Sequence, residues 1–195
     1  MRTHASPDAP TRAQLLDAAE RLLLESDYDR VSVRAINTAA GMNPAAVHYH
    51  FGSKENLVAA LLEQRLAPRW QPRLAATTER GRPPTVAELA DVVLTPLADL
   101  SADPTGRLHL HLLSRLVLAR RDVSWTSRWF RTESWVDLLR AARPDLEPTQ
   151  AARRWLLAFD LILLTFGTPL TTVAAPSADA VQTLRTFVIA GLDAP

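Results

Sequence analysis

The sequence predicts an all-α protein in which a small three-helix domain containing a helix-turn-helix is followed by a larger helical domain. Three observations carry this. Apolar residues recur with a period near 3.6, and no stretch alternates apolar and polar residues with β-branched enrichment. Residues 32–66 hold two short helical patterns separated by a glycine-centred turn. The composition then changes, because all five tryptophans lie beyond residue 66.

Taken in order, residues 1–10 contain two prolines and no apolar segment, and they read as a disordered tail rather than a signal peptide. Thr11 is placed to cap a first helix whose stripe is Leu15, Ala18, Ala19, Leu22 and Leu23, ending near Ser26 and Asp27. Ser32 caps a second helix running through Ala40, and Gly41 ends it. Asn43 and Pro44 open a third of about two turns, since Asn is a strong N-cap and Pro at the first helical position loses no bonded N–H. Gly52 and Ser53 break that helix, and Ser53 caps a fourth with Leu57, Val58, Leu61, Leu62 and Leu66 along one side. The first domain is therefore set at residues 11–66 and the second at 67–195.

In the second domain Pro68 and residues 81–84 act as punctuation. Helices are expected near 85–100, 106–121, 124–143, 149–166 and 177–191. The segment 149–166 is apolar on almost every side, so it must be buried all round or partly covered by another subunit.

Composition narrows the possible functions. Of the 195 residues 47% are hydrophobic and 22% charged, the profile of an ordinary globular chain. With no cysteine, disulfides and thiolate metal sites are excluded, which fits a reducing cytoplasm. No apolar run approaches the length that spans a bilayer, so no membrane role is expected. A net charge of +1 says little about nucleic acid. Residues 1–66 carry seven basic side chains (Arg2, Arg12, Arg21, Arg30, Arg34, Lys54, Arg65) against eight acids, so a DNA role must rest on where the charges sit. Lys54 is the only lysine.

With Val47 taken as the inward direction on the third helix, a step of roughly 100° per residue turns Pro44, His50 and Phe51 toward the core. Ala45 and Tyr49 then point directly away, with Ala46 and His48 on the flanks. Such a face is slim enough at its N-terminal end to enter a groove about 12 Å wide and bring methyls and ring donors to base edges.

The run from Ser32 to Ile36, and that from Ala39 through Gly41, Asn43, Pro44, Val47, Tyr49, Phe51, Gly52, Lys54 and Leu57, resemble the TetR family of regulators. The likeness extends over residues 11–66. It implies that Arg34 reaches base edges from the start of the second helix. It also implies that Pro44, Ala45, Ala46, His48 and Tyr49 face the major groove or its phosphates, with Asn43 counted among them, and that Lys54 grips phosphate. The remaining helices would form a ligand-binding and dimerising domain. The function so implied is that of a homodimeric repressor on a near-palindromic double-stranded DNA operator, released by a small ligand and needing no cofactor. Two positions depart from the family's pattern. Asp27 stands where the family usually has Gly, and is expected to take the left-handed conformation in its place. Asn37 stands where a small Ala is usual and lets the two short helices approach closely; whether the larger polar side chain alters their angle is left open by the sequence.

Beyond residue 66 the aromatic set Trp125, Trp129, Trp155 and Phe159, with Trp135 and Phe130, can line an apolar cavity or form ordinary core or dimer interface; the sequence leaves both open. His109, Arg115 and Asp160 are the candidate polar anchors of a hydrophobic or aromatic ligand. Asp160 lies inside an apolar run, so a buried carboxylate there needs a partner, either an Arg such as Arg115 or a ligand group. The dimer interface is assigned to Leu163, Phe166, Leu184, Phe187 and Val188. His48 with His50, and His109 with His111, are each two apart and point roughly 200° from one another on a helix, which excludes a shared metal. No convergent nucleophile, acid and base set is found, so catalysis is not expected.

Overall fold

The computed structural model describes residues 8–167 and 175–195, and among them it is helical with no strand. Its helices are α1 (Asp8–Glu25), α2 (Val33–Ala39), α3 (Ala46–Phe51), α4 (Lys54–Glu79), α5 (Val86–Ser101), α6 (Pro104–Leu118), α7 (Thr132–Ala142), α8 (Pro148–Phe166) and α9 (Ala178–Asp193), with a 3-10 turn at Arg128–Phe130. Two compact units divide the chain. The first runs to Leu61 and takes in Asp122–Ser124; the second holds Leu62–Arg121 and Trp125–Pro195. The division falls inside α4 rather than at 66/67.

The first unit is a three-helix cluster completed by the start of α4. Leu15, Ala18, Ala19 and Leu23 of α1 close over Ile36, Val47, Phe51, Leu57 and Val58, all buried. Ser32 is the N-cap of α2, its hydroxyl accepting from the Ala35 N–H at 3.1 Å. Gly41 and Gly52 have φ of 68° and 77°, the left-handed values that let α2 and α3 end sharply without a Cβ penalty. Three expectations are corrected here. The helix begins at Asp8, so residues 8–10 belong to α1 and not to a tail; Pro10 fits because the first turn asks nothing of its missing N–H. Asp27 does not take the left-handed conformation. Its carbonyl instead accepts from Arg30 N–H at 3.0 Å and Val31 N–H at 3.3 Å, closing the turn in right-handed geometry. And α3 starts at Ala46, later than Asn43–Pro44.

In the second unit α4 runs through Pro68 and Pro72 to Glu79. Prolines usually end a helix, but Leu62, Leu66, Trp70 and Leu74 recur at i, i+4 and are all buried, so one continuous apolar face outweighs two lost backbone bonds. Thr85 and Glu88 form a capping box on α5, and Asp103 caps α6 through the Gly106 N–H at 2.9 Å. The continuous helix expected at 124–143 is replaced by an irregular stretch, the 3-10 turn and α7. The cause is Glu63, buried on α4, whose carboxylate accepts from the Thr126 and Ser127 N–H groups and the Thr126 hydroxyl, each at 2.6 Å. Those donors are thereby diverted from helix formation.

The helices α5 to α9 share one core. Asp91 of α5 grips Arg185 of α9 with two bonds at 2.6 and 2.8 Å, and Arg143 and Arg154 bond the last carbonyls of α9. Trp155 of α8 is fully buried. The apolar character of α8 resolves into two sides, with Trp155, Ala158, Ile162, Leu163 and Phe166 inward and Leu156, Leu157 and Leu164 outward.

Candidate nucleic-acid interface

The outer face of the helix-turn-helix is built by what α2 and α3 turn inward. Ile36, Val47 and Phe51 go to the core, while Asn43, Pro44, Ala45, His48 and Tyr49 stay exposed, as does Arg34 near the start of α2. Tyr49 is 79% exposed, the largest value among the exposed large hydrophobic residues. Two of the expected orientations change. Pro44, expected toward the core on helical geometry, lies on the surface because the chain is still in a turn there. Ala46, placed by resemblance among the groove-facing residues, is buried, so its methyl is not offered to a base.

Asn43 does not cap α3; its Oδ1 accepts from the Ala45 N–H at 2.9 Å and shapes the turn before the helix. The cap comes from α2. Asn37 is 1% exposed; its Nδ2 donates to the Pro44 carbonyl at 2.6 Å and its Oδ1 accepts from the Val47 N–H at 3.1 Å. The larger side chain at this position is consumed in bonds that join the two helices. Arg12 of α1 closes the other end of α3, donating to the His50 carbonyl with its guanidinium 4.2 Å from the centre of the Phe51 ring.

His48 Nδ1 lies 3.0 Å from the Gly52 carbonyl oxygen. A carbonyl only accepts, so Nδ1 carries the proton of this bond, which leaves Nε2 facing outward. Lys54, expected to reach for phosphate, is half-buried and its ammonium donates to the Tyr28 carbonyl, lying 3.8 Å from the centre of the Tyr28 ring. In this state it secures the turn after α1.

The second-domain candidates are only partly brought together. Trp155 stacks on Phe159 at 5.0 Å, Trp135 meets both at 5.4 and 5.6 Å, and Trp129 meets Trp135 at 6.2 Å. Trp125 is in a separate pair, stacked on Phe130 at 4.9 Å. The indole donors are used internally, Trp155 Nε1 to the Trp135 carbonyl at 2.7 Å and Trp135 Nε1 to the Trp129 carbonyl at 2.9 Å. His109 is buried on α6 and Arg115 half-buried on the same helix. Asp160 is half-buried and meets Arg120 Nη2 at 2.7 Å, a partner the sequence did not single out. Arg120 has a φ of 50°, and this left-handed residue ends α6.

Of the residues assigned to a dimer interface, Leu163, Phe166, Leu184 and Val188 are corrected: each is buried within the chain's own core. Only Phe187 is exposed, at 69%, together with Leu157 at 70%, Leu164 at 64% and Leu156 at 44%. Among the described residues no helix is long and apolar enough to cross a membrane.

A family model described as bacterial regulatory proteins of the tetR family matches residues 15–61, which span α1 to the first part of α4. Over residues 15–61 the chain is similar to the TetR family of regulators. Among curated relatives, the HTH-type transcriptional repressor AcnR of Corynebacterium glutamicum is 38% identical over 136 residues, covering 68% of this chain and 64% of that one. The chain thus spans just under two thirds of that relative. The fold extends the likeness to the second unit. A TetR-family transcriptional regulator from Streptomyces coelicolor superposes with a TM-score of 0.61 at 20% identity, over 93% of this chain and 97% of that one. The multidrug binding protein EbrR complexed with imidazole gives 0.57 at 22% identity, over 94% and 96%.

Proposed function

We propose that this chain is a sequence-specific DNA-binding transcriptional repressor of the TetR family that acts as a homodimer in the cytoplasm and is released from its operator by a small ligand. The observation that carries the DNA role is the outer face of the helix-turn-helix, where Arg34, Asn43, Pro44, Ala45, His48 and Tyr49 are all exposed around a buried Val47 and Phe51. Arg34 offers the bidentate donors that match guanine O6 and N7, Ala45 a methyl contact, and His48 Nε2, when the ring is neutral, an acceptor for the amino group of adenine or cytosine. Lys54 adds a phosphate contact that carries no base information.

The dimer reading is supported by Leu156, Leu157, Leu164 and Phe187, four large apolar side chains left exposed on two packed helices. A second copy offers the same surface and can cover it symmetrically. Two α3 helices would then enter successive major grooves about 34 Å apart on a near-palindromic site.

The ligand reading rests on residues 85–166, rich in apolar and aromatic side chains, and on EbrR as a ligand-bound structure of the same fold. A small apolar or aromatic compound that binds one conformation better shifts the population toward it, and release follows if that conformation spaces the recognition helices wrongly for DNA.

The test is selection from a pool of random duplexes by the purified full chain, followed by sequencing of what it retains. A two-fold symmetric motif is expected; retention with no enriched sequence contradicts the reading.

A further inference from the structure

We propose that Asn37 is a positioning residue for DNA reading: its carboxamide is the N-cap of the recognition helix, supplied from the neighbouring helix, and it fixes where α3 begins. The inference rests on the DNA-binding function proposed above and names a determinant of its specificity on a residue that faces away from the groove.

The first N–H groups of any helix lack intrahelical acceptors, and a side-chain oxygen at the N-cap normally satisfies the second or third of them. In α3 the N-cap position is Ala45, which has no acceptor and makes no side-chain cap bond. Val47 is the second residue of that helix, and Asn37 Oδ1 takes its N–H at 3.1 Å. At the same time Asn37 Nδ2 holds the Pro44 carbonyl at 2.6 Å, and the Asn37 main-chain carbonyl accepts from the Met42 N–H at 2.8 Å. One residue therefore bonds the chain at 42, 44 and 47, on both sides of the point where α3 starts.

The donor and acceptor of the carboxamide are both matched, which also fixes its orientation: flipped, it would set N–H against N–H and oxygen against oxygen. Aspartate supplies the acceptor for Val47 but no donor for Pro44, and alanine supplies neither. The side chain is 1% exposed, so water does not readily replace it. Asn43 cannot take over, because its own Oδ1 is engaged by the Ala45 N–H.

The consequence is directional. Ala45, His48 and Tyr49 reach outward only because Val47 and Phe51 are seated inward from a fixed start. Freeing the Val47 N–H and the Pro44 carbonyl lets the first turn of a six-residue helix unwind or shift, which moves the outward side chains relative to the bases. Phosphate contacts made from elsewhere in the unit are left in place, and these dominate binding to unrelated sequence.

The experiment uses the full chain, the duplex enriched in the random-pool selection and a scrambled duplex of equal length. Affinities for both are measured for the unmodified protein, Asn37→Ala and Asn37→Asp, alongside amide hydrogen exchange at Val47. For Asn37→Ala the operator-to-scrambled ratio is expected to fall by roughly tenfold, with scrambled affinity unchanged and Val47 exchange accelerated by a similar factor. Asn37→Asp should keep Val47 exchange slow and lose only part of the ratio. Should Asn37→Ala fail to fold, Asn37→Asp carries the test, and an unchanged ratio in it overturns the positioning role. Equal loss on both duplexes also overturns it, since that is what a merely structural residue would give, as does slow Val47 exchange in Asn37→Ala. If the unmodified protein enriches no sequence, the DNA function itself fails, while Val47 exchange still decides whether Asn37 is the cap.

Discussion

The outer face of α3 and the outer faces of α8 and α9 are both left to solvent, yet they call for different occupants. On α3 the exposed side chains are His48 and Tyr49, rings that carry a polar group, and the polar groups beneath them are already bonded within the unit: Asn37 to Pro44 and Val47, Arg12 to His50, His48 to Gly52. On α8 and α9 the exposed residues are Leu156, Leu157, Leu164 and Phe187. A polar face built on a satisfied backbone is ready for a polar, hydrated partner such as DNA. An apolar face of this size is more stable when covered by a like surface. Exposure alone does not mark a site; what matters is whether the groups behind it are satisfied and what chemistry remains in front.

The largest effects are expected where the apolar face meets its partner and where the core lies behind it. Leu157→Glu or Phe187→Glu should give folded monomer by light scattering with an unchanged circular dichroism spectrum, because both side chains are outside the chain's own core. Leu163→Glu should instead unfold the protein, since Leu163 is inside it. If Leu157→Glu stays dimeric, the apolar face is not the interface. Truncating the buried Trp155 to alanine should cost about 3–5 kcal/mol in chemical denaturation.

On the polar face the effects are smaller and fall on DNA rather than on folding. Arg34→Ala should weaken binding to the selected operator by about 1–3 kcal/mol per half-site and flatten preference at one base position, with little change on scrambled DNA. Lys54→Ala should weaken both duplexes alike and lower the salt slope by about one unit of counterion release. A Lys54 that only secures the Tyr28 turn would leave the slope unchanged.

How far these faces were legible in the sequence follows from where their determinants lie. The α2 cap at Ser32, the stops at Gly41 and Gly52 and the inward stripe of Ile36, Val47 and Phe51 are local patterns, and they place the candidate interface. The start of α3 was misplaced because Asn43 has the right identity for a cap, while the residue that caps is Asn37, on another helix. Glu63 broke the helix expected at 124–143 in the same way, from a partner distant along the chain. Pro68 misled because its local cost is outweighed by a stripe that continues past it. On α8 almost every position is apolar, so no period distinguishes Leu163, which is core, from Leu164, which is surface; only the packing of α6, α7 and α9 assigns the two sides.

The smallest expected effect lies at the start of α5. The Arg82 guanidinium first, and the Thr85 N–H after it, hold the Glu88 carboxyl down to about 2 from its ordinary 4.5. A depressed folded value means that any stability from this capping box is fully present above about pH 4.5 and is lost as the pH falls toward 2. An NMR titration of the Glu88 side-chain carboxyl should show its midpoint near 2, and a midpoint in the ordinary range would remove the Arg82 contact from solution.

In the proposed function, sequence is read by the outer face of α3, and this face is independent of the one that pairs two copies. This is tested most directly by the ratio of operator to scrambled affinity in a variant carrying His48→Ala and Tyr49→Ala together, measured beside its mass in solution. The account predicts a ratio that falls toward one, with the dimer mass and the affinity for scrambled DNA retained. A variant that keeps the ratio of the unmodified protein would contradict it.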